Sequence, residues 1–288
     1  MGKLLCIVGP TAIGKTALAL HLAAKEPSTL ISADSRQVYR GMDIVTGKDH
    51  PTNTQLFGID LVAPDESCSV SVWYNAVMPI ITQSWEEGRL PIVVGGTGFY
   101  VHALTHGIHT LSVPINQELR SQLTTLSLPK LQAKLCAIAP ARFFAMNHSD
   151  QSNPRRLIRA IEVALSSSLS PTVNLSLPQT QLIGLRYSSL TLQKEAIRAR
   201  VLSRLQTGAV RETKKLLQKY PANLPSLTAI GYRSLIAHLT GKLSQAELID
   251  HWVAGELAYA KRQLTWFRRD KSIQWYDIDK EDYDYPKN

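Results

Sequence analysis

The chain has little cysteine, a deficit of acid against base, and no long apolar run. Three cysteines occur in 288 residues, Cys6, Cys68 and Cys136, and none forms a C-x-x-C pair. That spacing argues against a disulfide framework or a cysteine zinc site and fits a reducing compartment. No segment approaches the ~20 apolar residues that a membrane span needs, so no membrane partner is expected. The first residues pass straight into a strand pattern without a leader pattern, and the expected localisation is cytoplasmic. Aspartate and glutamate number 23 against 32 lysines and arginines, a net charge of +9. The excess lies mostly in the second half and suits a polyanionic partner. Eight histidines are scattered without metal-ligand spacing, and there is no internal repeat. What remains, 44% hydrophobic and 19% charged, is the balance of a globular protein with one large domain or two modest ones.

The most informative segment is Gly9-Pro10-Thr11-Ala12-Ile13-Gly14-Lys15-Thr16, which fits the phosphate-loop pattern G-x-x-x-x-G-K-[ST]. Lys3 to Val8 reads as a buried strand before it, and Thr16 to Lys25 as a helix after it, which is the context the pattern requires. Backbone N–H groups around Gly9, Thr11, Ala12 and Gly14 would cradle a di- or triphosphate at the helix N-terminus. Lys15 adds a point charge, and the Thr16 hydroxyl is a Mg²⁺ ligand candidate.

The first part of the chain alternates between strand and helix patterns. Ser28 to Ala33 is a second strand, Trp73 to Glu87 an amphipathic helix, Leu90 to Val94 an apolar strand of the buried parallel kind, and Phe99 to Thr105 a helix. Such a series predicts an α/β fold with a phosphate-loop parallel sheet. Near Val113-Pro114 the pattern changes. Residues 117 to 165 read as helix broken by Pro129, Pro140 and Pro154, and 166 to 178 as a Ser/Pro-rich linker. Gln181 to Leu185 returns as a strand. Three helices are expected over 192–220, 226–239 and 244–269, the last opened by a Ser244/Glu247 capping box, then a strand over 272–276 and a fraying polar end from 277. The expected organisation is therefore a core in two parts, 1–112 and 179–288, with a helical domain inserted over 113–178.

Asp34 follows the second strand, at the sheet end where ligands of open α/β sheets bind. It reads as a general base, as a water-mediated Mg²⁺ contact, or as an N-cap. The strand Leu90–Val94 runs into Gly95-Gly96-Thr97 and lacks the aspartate that an ordinary ATPase uses there for its metal. Glycines at that point suggest close approach of a substrate, with the Thr97 hydroxyl beside it. Basic and aromatic residues interleave in Asn153 to Arg159, with Arg155, Arg156 and Arg159, and in Ala260 to Arg269, with Lys261, Arg262, Trp266 and Arg268. Such mixtures suit single-stranded nucleic acid. They equally describe solvated basic helix faces, with Trp266 and Phe267 in the core.

Taken together, several stretches resemble the tRNA dimethylallyltransferases: GPTAIGKT (9–16), ISADSRQVYRGMD (31–43), VGGTGFY (94–100), NPRRLIRAIEV (153–163), IGYR (230–233) and AKRQLTWFR (260–268), in that order. The phosphate loop is shared with many families; the second and last stretches are far more specific. The resemblance implies transfer of the dimethylallyl group of dimethylallyl diphosphate to the exocyclic amine of the adenine 3′ of the anticodon, with pyrophosphate leaving. It implies that the loop and Mg²⁺ hold that diphosphate, that Asp34 takes the amine proton, that Thr97 bonds at the same centre, and that Arg200 meets the diphosphate. It further implies that Ser35, Arg36 and Gln37 line the base pocket. The insertion would grip the anticodon stem-loop through Arg120, Arg155, Arg156 and Arg159, and Gly231, Tyr232 and Arg233 would lie on the tRNA side. The chain would act as a monomer without an obligate protein partner.

The chain departs from the family's usual residues at Val45, Gly47, Ala196 and Glu256-Leu257. Three alternatives remain at this point: an adenylate isopentenyltransferase, a small-molecule kinase with Asp34 as base, and a non-catalytic RNA-binding module.

Overall fold

A computed structural model describes residues 2–51, 54–108, 110–111, 113–166 and 178–280. In chain order the elements are β1 (Lys3–Val8), α1 (Lys15–Ala23), β2 (Ser28–Ser32), β3 (Leu56–Phe57), α2 (Val70–Glu86), β4 (Leu90–Gly95) and α3 (Gly98–Thr105). Then come α4 (Gln117–Thr124), α5 (Leu128–Ile138), α6 (Pro140–Ala145), α7 (His148–Gln151) and α8 (Pro154–Leu165). The chain continues with β5 (Gln179–Arg186), α9 (Leu190–Thr207), α10 (Ala209–Lys219), a 3-10 turn (Ser226–Thr228), α11 (Ile230–Leu239), α12 (Gln245–Phe267) and β6 (Gln274–Asp277). Among the described residues no helix is long and apolar enough to cross a membrane.

The chain divides into two compact units, residues 108–175 and the rest. The sequence reading placed these boundaries at 113 and 178. The linker expected over 166–178 and the polar end from 277 fall largely outside the described residues, at 167–177 and 281–288.

In the larger unit the strands form one parallel sheet of order β3-β2-β4-β1-β5-β6. The side-chain period of two decides which core each residue joins. On β1, Leu4, Cys6 and Val8 enter the cluster on one face, while Leu5 and Ile7 enter the cluster on the other. Cys6 is thus core filler, and burial pushes its thiol pKa up. Parallel strands covered on both faces read as continuous apolar runs, which is why β1 and β4 are legible in the sequence.

Several elements differ from expectation. Helix α2 starts three residues early because Ser69 caps it, accepting from the Val72 N–H at 3.3 Å. The single helix expected over 192–220 is two, α9 and α10, because Gly208 takes φ 115° between them. Strand β3 has two residues and no sequence signal. The capping box at Ser244 forms as expected.

The smaller unit is helical, around Leu123, Leu131, Leu135, Leu157 and Ile161. Its prolines open helices as well as breaking the run: Pro129, Pro140 and Pro154 each sit in a first turn, where the missing N–H costs nothing.

Candidate active site

Strands β1, β2 and β4 all point their carboxyl ends the same way, and their following loops meet over a cavity of about 750 Å³. The loop after β1 is the phosphate loop. Gly9 has φ 145°, and a Cβ there would overlap the Leu185 carbonyl of β5. Gly14, with φ 81°, turns the loop into α1. Thr11, Ala12, Gly14, Lys15 and Thr16 line the cavity; Gly9, against Leu185, is not part of the lining. The Lys15 ammonium folds back to donate to the Pro10 carbonyl at 2.6 Å. Burial, then the neighbouring Arg200, push its pKa down to about 7, against the pull of Asp34, Asp49 and Glu256.

Long-range contacts hold the loop in place. Thr11 N–H donates to Gln263 Oε1 at 2.9 Å, Gln193 donates to the Thr11 carbonyl at 2.7 Å, and Arg200 Nη1 donates to Thr11 Oγ1 at 2.8 Å. Gln263 also donates to the Gly96 carbonyl at 2.9 Å. One buried amide therefore ties the β1 loop to the β4 loop. The sequence reading expected Gly95-Gly96 to admit a substrate. The space of a Gly95 Cβ is taken by the Ala33 carbonyl and that of a Gly96 Cβ by the Gln263 amide. Both glycines line the cavity, and both also serve close packing within the protein.

Asp34, after β2, lines the cavity half-buried. Its Oδ1 accepts the Arg36 N–H at 2.8 Å, an Asx turn, which leaves the other carboxylate oxygen for a ligand. Ser35 N–H donates to Thr97 Oγ1 at 2.9 Å, and that hydroxyl lies 3.3 Å from Ser35 Oγ. Thr97 also hydrogen-bonds Tyr259, whose own pKa is raised by burial and by Asp34. Thr97 thus fixes the Asp34-Ser35 turn and lies behind the cavity lining; Tyr259, missed in the sequence, lines it.

Ser35, Arg36, Gln37, Arg200, Gly231, Arg233 and Arg262 also line the cavity. Gln37 is a structural clamp, accepting from Ser32 Oγ at 2.7 Å and donating to the Gly47 carbonyl at 2.9 Å. Arg36 reaches the Pro225 carbonyl at 3.2 Å. Tyr232 departs from its expected tRNA-side place: it is fully buried and donates to Glu212 at 2.7 Å, and Glu212 takes the N–H groups of Asp43, Ile44 and Val45. Lys48 is buried between Asp43 at 2.6 Å and Asp60 at 2.5 Å. On α12, Phe267 is core, whereas Trp266 is 40% exposed, edge-on to Phe99 and under Arg269. Lys261, Arg262 and Arg268 are exposed.

In the smaller unit the arginines divide into two groups. Arg120 and Arg159 both bind Glu162, which is buried, and Arg159 also donates to the Thr110 and Val113 carbonyls. Burial opposes the Glu162 charge, yet the two arginines and the Asn116 N–H hold its pKa below the usual carboxylate range. The expected phosphate contacts Arg120 and Arg159 are therefore spoken for within the unit, because a buried carboxylate needs them. Arg155 and Arg156 are exposed; Arg156 pairs with Asp150, and the Arg155 side chain has no partner among the described residues.

A phosphate loop on a parallel sheet, a carboxylate on the neighbouring loop and arginines from α9 facing both define an α/β protein that handles a phosphorylated ligand beside a base. Comparison with known proteins narrows the class. A family model described as IPP transferase matches residues 37–270, and one described as isopentenyl transferase matches residues 2–62. The tRNA dimethylallyltransferase of Synechococcus elongatus is 36% identical over 96% of this chain and 90% of its own. That of Halalkalibacterium halodurans is 35% identical over 98% and 93%. Among solved structures, the tRNA isopentenylpyrophosphate transferase of Bacillus halodurans matches with a TM-score of 0.70 at 35% identity, covering 97% of this chain and 93% of that one. A eukaryotic dimethylallyltransferase solved acting on tRNA shares the fold, with a TM-score of 0.77 at 24% identity over 93% and 70%. The chain belongs to the IPP transferase family, among the tRNA dimethylallyltransferases.

Proposed function

We propose that this chain transfers the dimethylallyl group of dimethylallyl diphosphate to the exocyclic N6 amine of the adenine 3′ of the anticodon in tRNA, releasing pyrophosphate. The observation that carries the reading is that Lys15, Thr16, Arg200 and Asp34 line one cavity, in a chain 35–36% identical to tRNA dimethylallyltransferases over nearly its whole length. The cavity is of the size that takes a small ligand. The N6–C1 bond forms as the C1–O bond breaks, the electron pair leaves with pyrophosphate, and one amine proton is released. Lys15, Arg200 and the loop N–H groups stand where the leaving charge grows, which is electrostatic stabilisation of the departing group. Asp34 orients the amine and accepts its proton. Thr97 and Tyr259 keep the Asp34 turn in register with β4.

Mg²⁺ fits this donor set. The Thr16 hydroxyl lines the cavity without a hydrogen bond among the described residues, and Asp34 and Asp49 are hard oxygen donors on the same wall. Among the described residues no group of three or more His, Cys, Asp or Glu stands ready to hold a metal, so Thr16 would hold the ion together with diphosphate oxygens and water, as Mg²⁺ prefers. Its chemistry there is to neutralise the leaving diphosphate.

The target adenine is stacked in its loop and must be flipped to enter the cavity. We assign the anticodon stem-loop to the smaller unit, through Arg155 and Arg156 as phosphate contacts, and take the chain to act as a monomer. The experiment mixes the protein and Mg²⁺ with labelled dimethylallyl diphosphate and either an anticodon stem-loop or free AMP. Label in the RNA supports the reading. Label in AMP alone moves the chain to the adenylate branch, and label in neither removes the reaction.

A further inference from the structure

The cavity holds a buried guanidinium that the reading above does not use. Arg204 stands one turn beyond Arg200 on α9 and lines the cavity, yet it is only 7% exposed. Its Nη1 has one weak acceptor, Glu256 Oε1 at 3.5 Å, and that oxygen is shared with Trp252 Nε1 at 3.3 Å. Its Nε is the one buried side-chain nitrogen or oxygen among the described residues without a hydrogen-bond partner. An orphaned buried donor is costly, and here it sits on a cation. The nitrogen on the same edge, Nη2, lies against Gly47, where a Cβ would overlap both it and Arg200 Nη2. Two guanidiniums thus converge on the backbone of residue 47, which lines the same cavity. Burial, then the neighbouring Arg200, push the Arg204 pKa down to about 10. The carboxylates facing Arg204 are Glu256, Asp34 and Asp49; none reaches its Nε–Nη2 edge. That edge is the fork that takes two phosphate oxygens at once.

We propose that the Nε–Nη2 edge of Arg204, with Arg200 and the backbone at Gly47, forms an anion subsite for the phosphate of the prenyl diphosphate that is distal to the reacting carbon. Glu256 is its counter-ion while the site is empty. This rests on the diphosphate reading of the cavity. Two neighbouring cations that repel each other and leave a buried donor unmet are stabilised together by one terminal phosphate. A monophosphate held at the loop by Lys15 and Arg200 leaves the Nε–Nη2 edge of Arg204 unmet. Arg204 therefore sets preference for diphosphates over monophosphates and holds the leaving group.

The test is calorimetric titration of the full-length chain with inorganic pyrophosphate and, separately, dimethylallyl monophosphate. Arg204→Met keeps the length of the side chain and removes the fork. The expected result is a loss of pyrophosphate affinity of ~10–100-fold, the range of a charge-assisted pair, with monophosphate affinity unchanged and the melting temperature maintained or raised. Glu256→Gln, which removes the counter-charge at Nη1 and leaves the fork in place, should tighten pyrophosphate binding. A purely structural Arg204 would lower the melting temperature and weaken both ligands alike, and that result overturns the proposal. So does an unchanged ratio of the two affinities in Arg204→Met, or weaker pyrophosphate binding in Glu256→Gln. A wild-type chain that binds pyrophosphate but transfers no prenyl group leaves the subsite to be decided by the variants and removes only the reaction. One that binds neither ligand removes both.

Discussion

Lys15 makes the binding of pyrophosphate a proton-coupled event. Its pKa of about 7 in the empty protein, against an ordinary 10.5, follows first from burial and then from Arg200. A bound pyrophosphate supplies the anion that the buried ammonium lacks, so the charged form is restored in the complex. At pH 8 roughly nine-tenths of the empty protein carries neutral Lys15, and binding takes up ~0.9 proton; at pH 6 the uptake falls to ~0.1. Affinity should therefore fall about tenfold per pH unit above ~7, with a ceiling of ~5 kcal/mol if the whole shift is reversed. The assay is calorimetry of pyrophosphate binding in buffers of different ionisation enthalpy at pH 6 and pH 8. Lys15→Arg, charged throughout, subtracts the protons that belong to the ligand. If wild type and Lys15→Arg exchange the same number of protons at pH 8, Lys15 is already charged in the empty loop and the reasoning fails.

Two other predictions concern the base and the RNA contacts. Asp34→Asn should lower prenyl transfer by ~10²–10⁴, the span of general-base catalysis, while pyrophosphate binding measured by calorimetry stays within a few-fold of wild type; normal turnover would strip Asp34 of the role. Replacing Arg155 and Arg156 by glutamine should weaken stem-loop binding and reduce its salt slope by about 2, with the melting temperature unchanged. Arg159→Gln should instead lower the melting temperature, because it removes a partner of buried Glu162 and leaves the Thr110 and Val113 carbonyls unmet.

What could be read in the sequence was whatever is contiguous. The phosphate loop, the apolar runs of β1 and β4 and the capping box at Ser244 are local patterns, and each stands where the pattern put it. The place of Asp34 at the sheet end was legible because its strand is; the turn its side chain makes with Arg36 was not. What was not legible joins residues far apart. Gln263 meets Thr11 across 252 positions, Glu212 caps residues 43–45 across about 168, and Arg204 meets Gly47 only once α9 has folded onto the sheet. The arginines of 153–159 show the limit most clearly. They form one basic stretch in the sequence, yet a single buried carboxylate three residues past Arg159 withdraws it from solvent and leaves Arg155 outside. Glu162 was visible at that spacing; what could not be seen was that it is buried and that Arg120 shares it.

The cavity is built for an occupant, and the empty protein bears the cost. Lys15, Arg200 and Arg204 all line it, and of the carboxylates that temper them Glu256 touches only Arg204 among the three, Asp49 is exposed and Asp34 has another task as base. An ammonium whose folded-state pKa lies below its unfolded value destabilises the fold wherever the unfolded chain would be protonated. The penalty is therefore complete below about pH 7 and fades as pH climbs toward 10.5. Lys15→Met removes it. The empty variant should be more stable than wild type by ~1–3 kcal/mol at pH 6, well under the ~5 kcal/mol ceiling because Lys15 is only half-buried and keeps the Pro10 carbonyl. The advantage should shrink steadily in chemical denaturation series taken from pH 7 to pH 10, and the variant should bind pyrophosphate poorly at every pH. A less stable Lys15→Met at pH 6 would mean that the ammonium holds the empty loop together, and that the loop is formed by Lys15 where we have taken it to be formed by Gln263, Gln193 and Arg200 around Thr11.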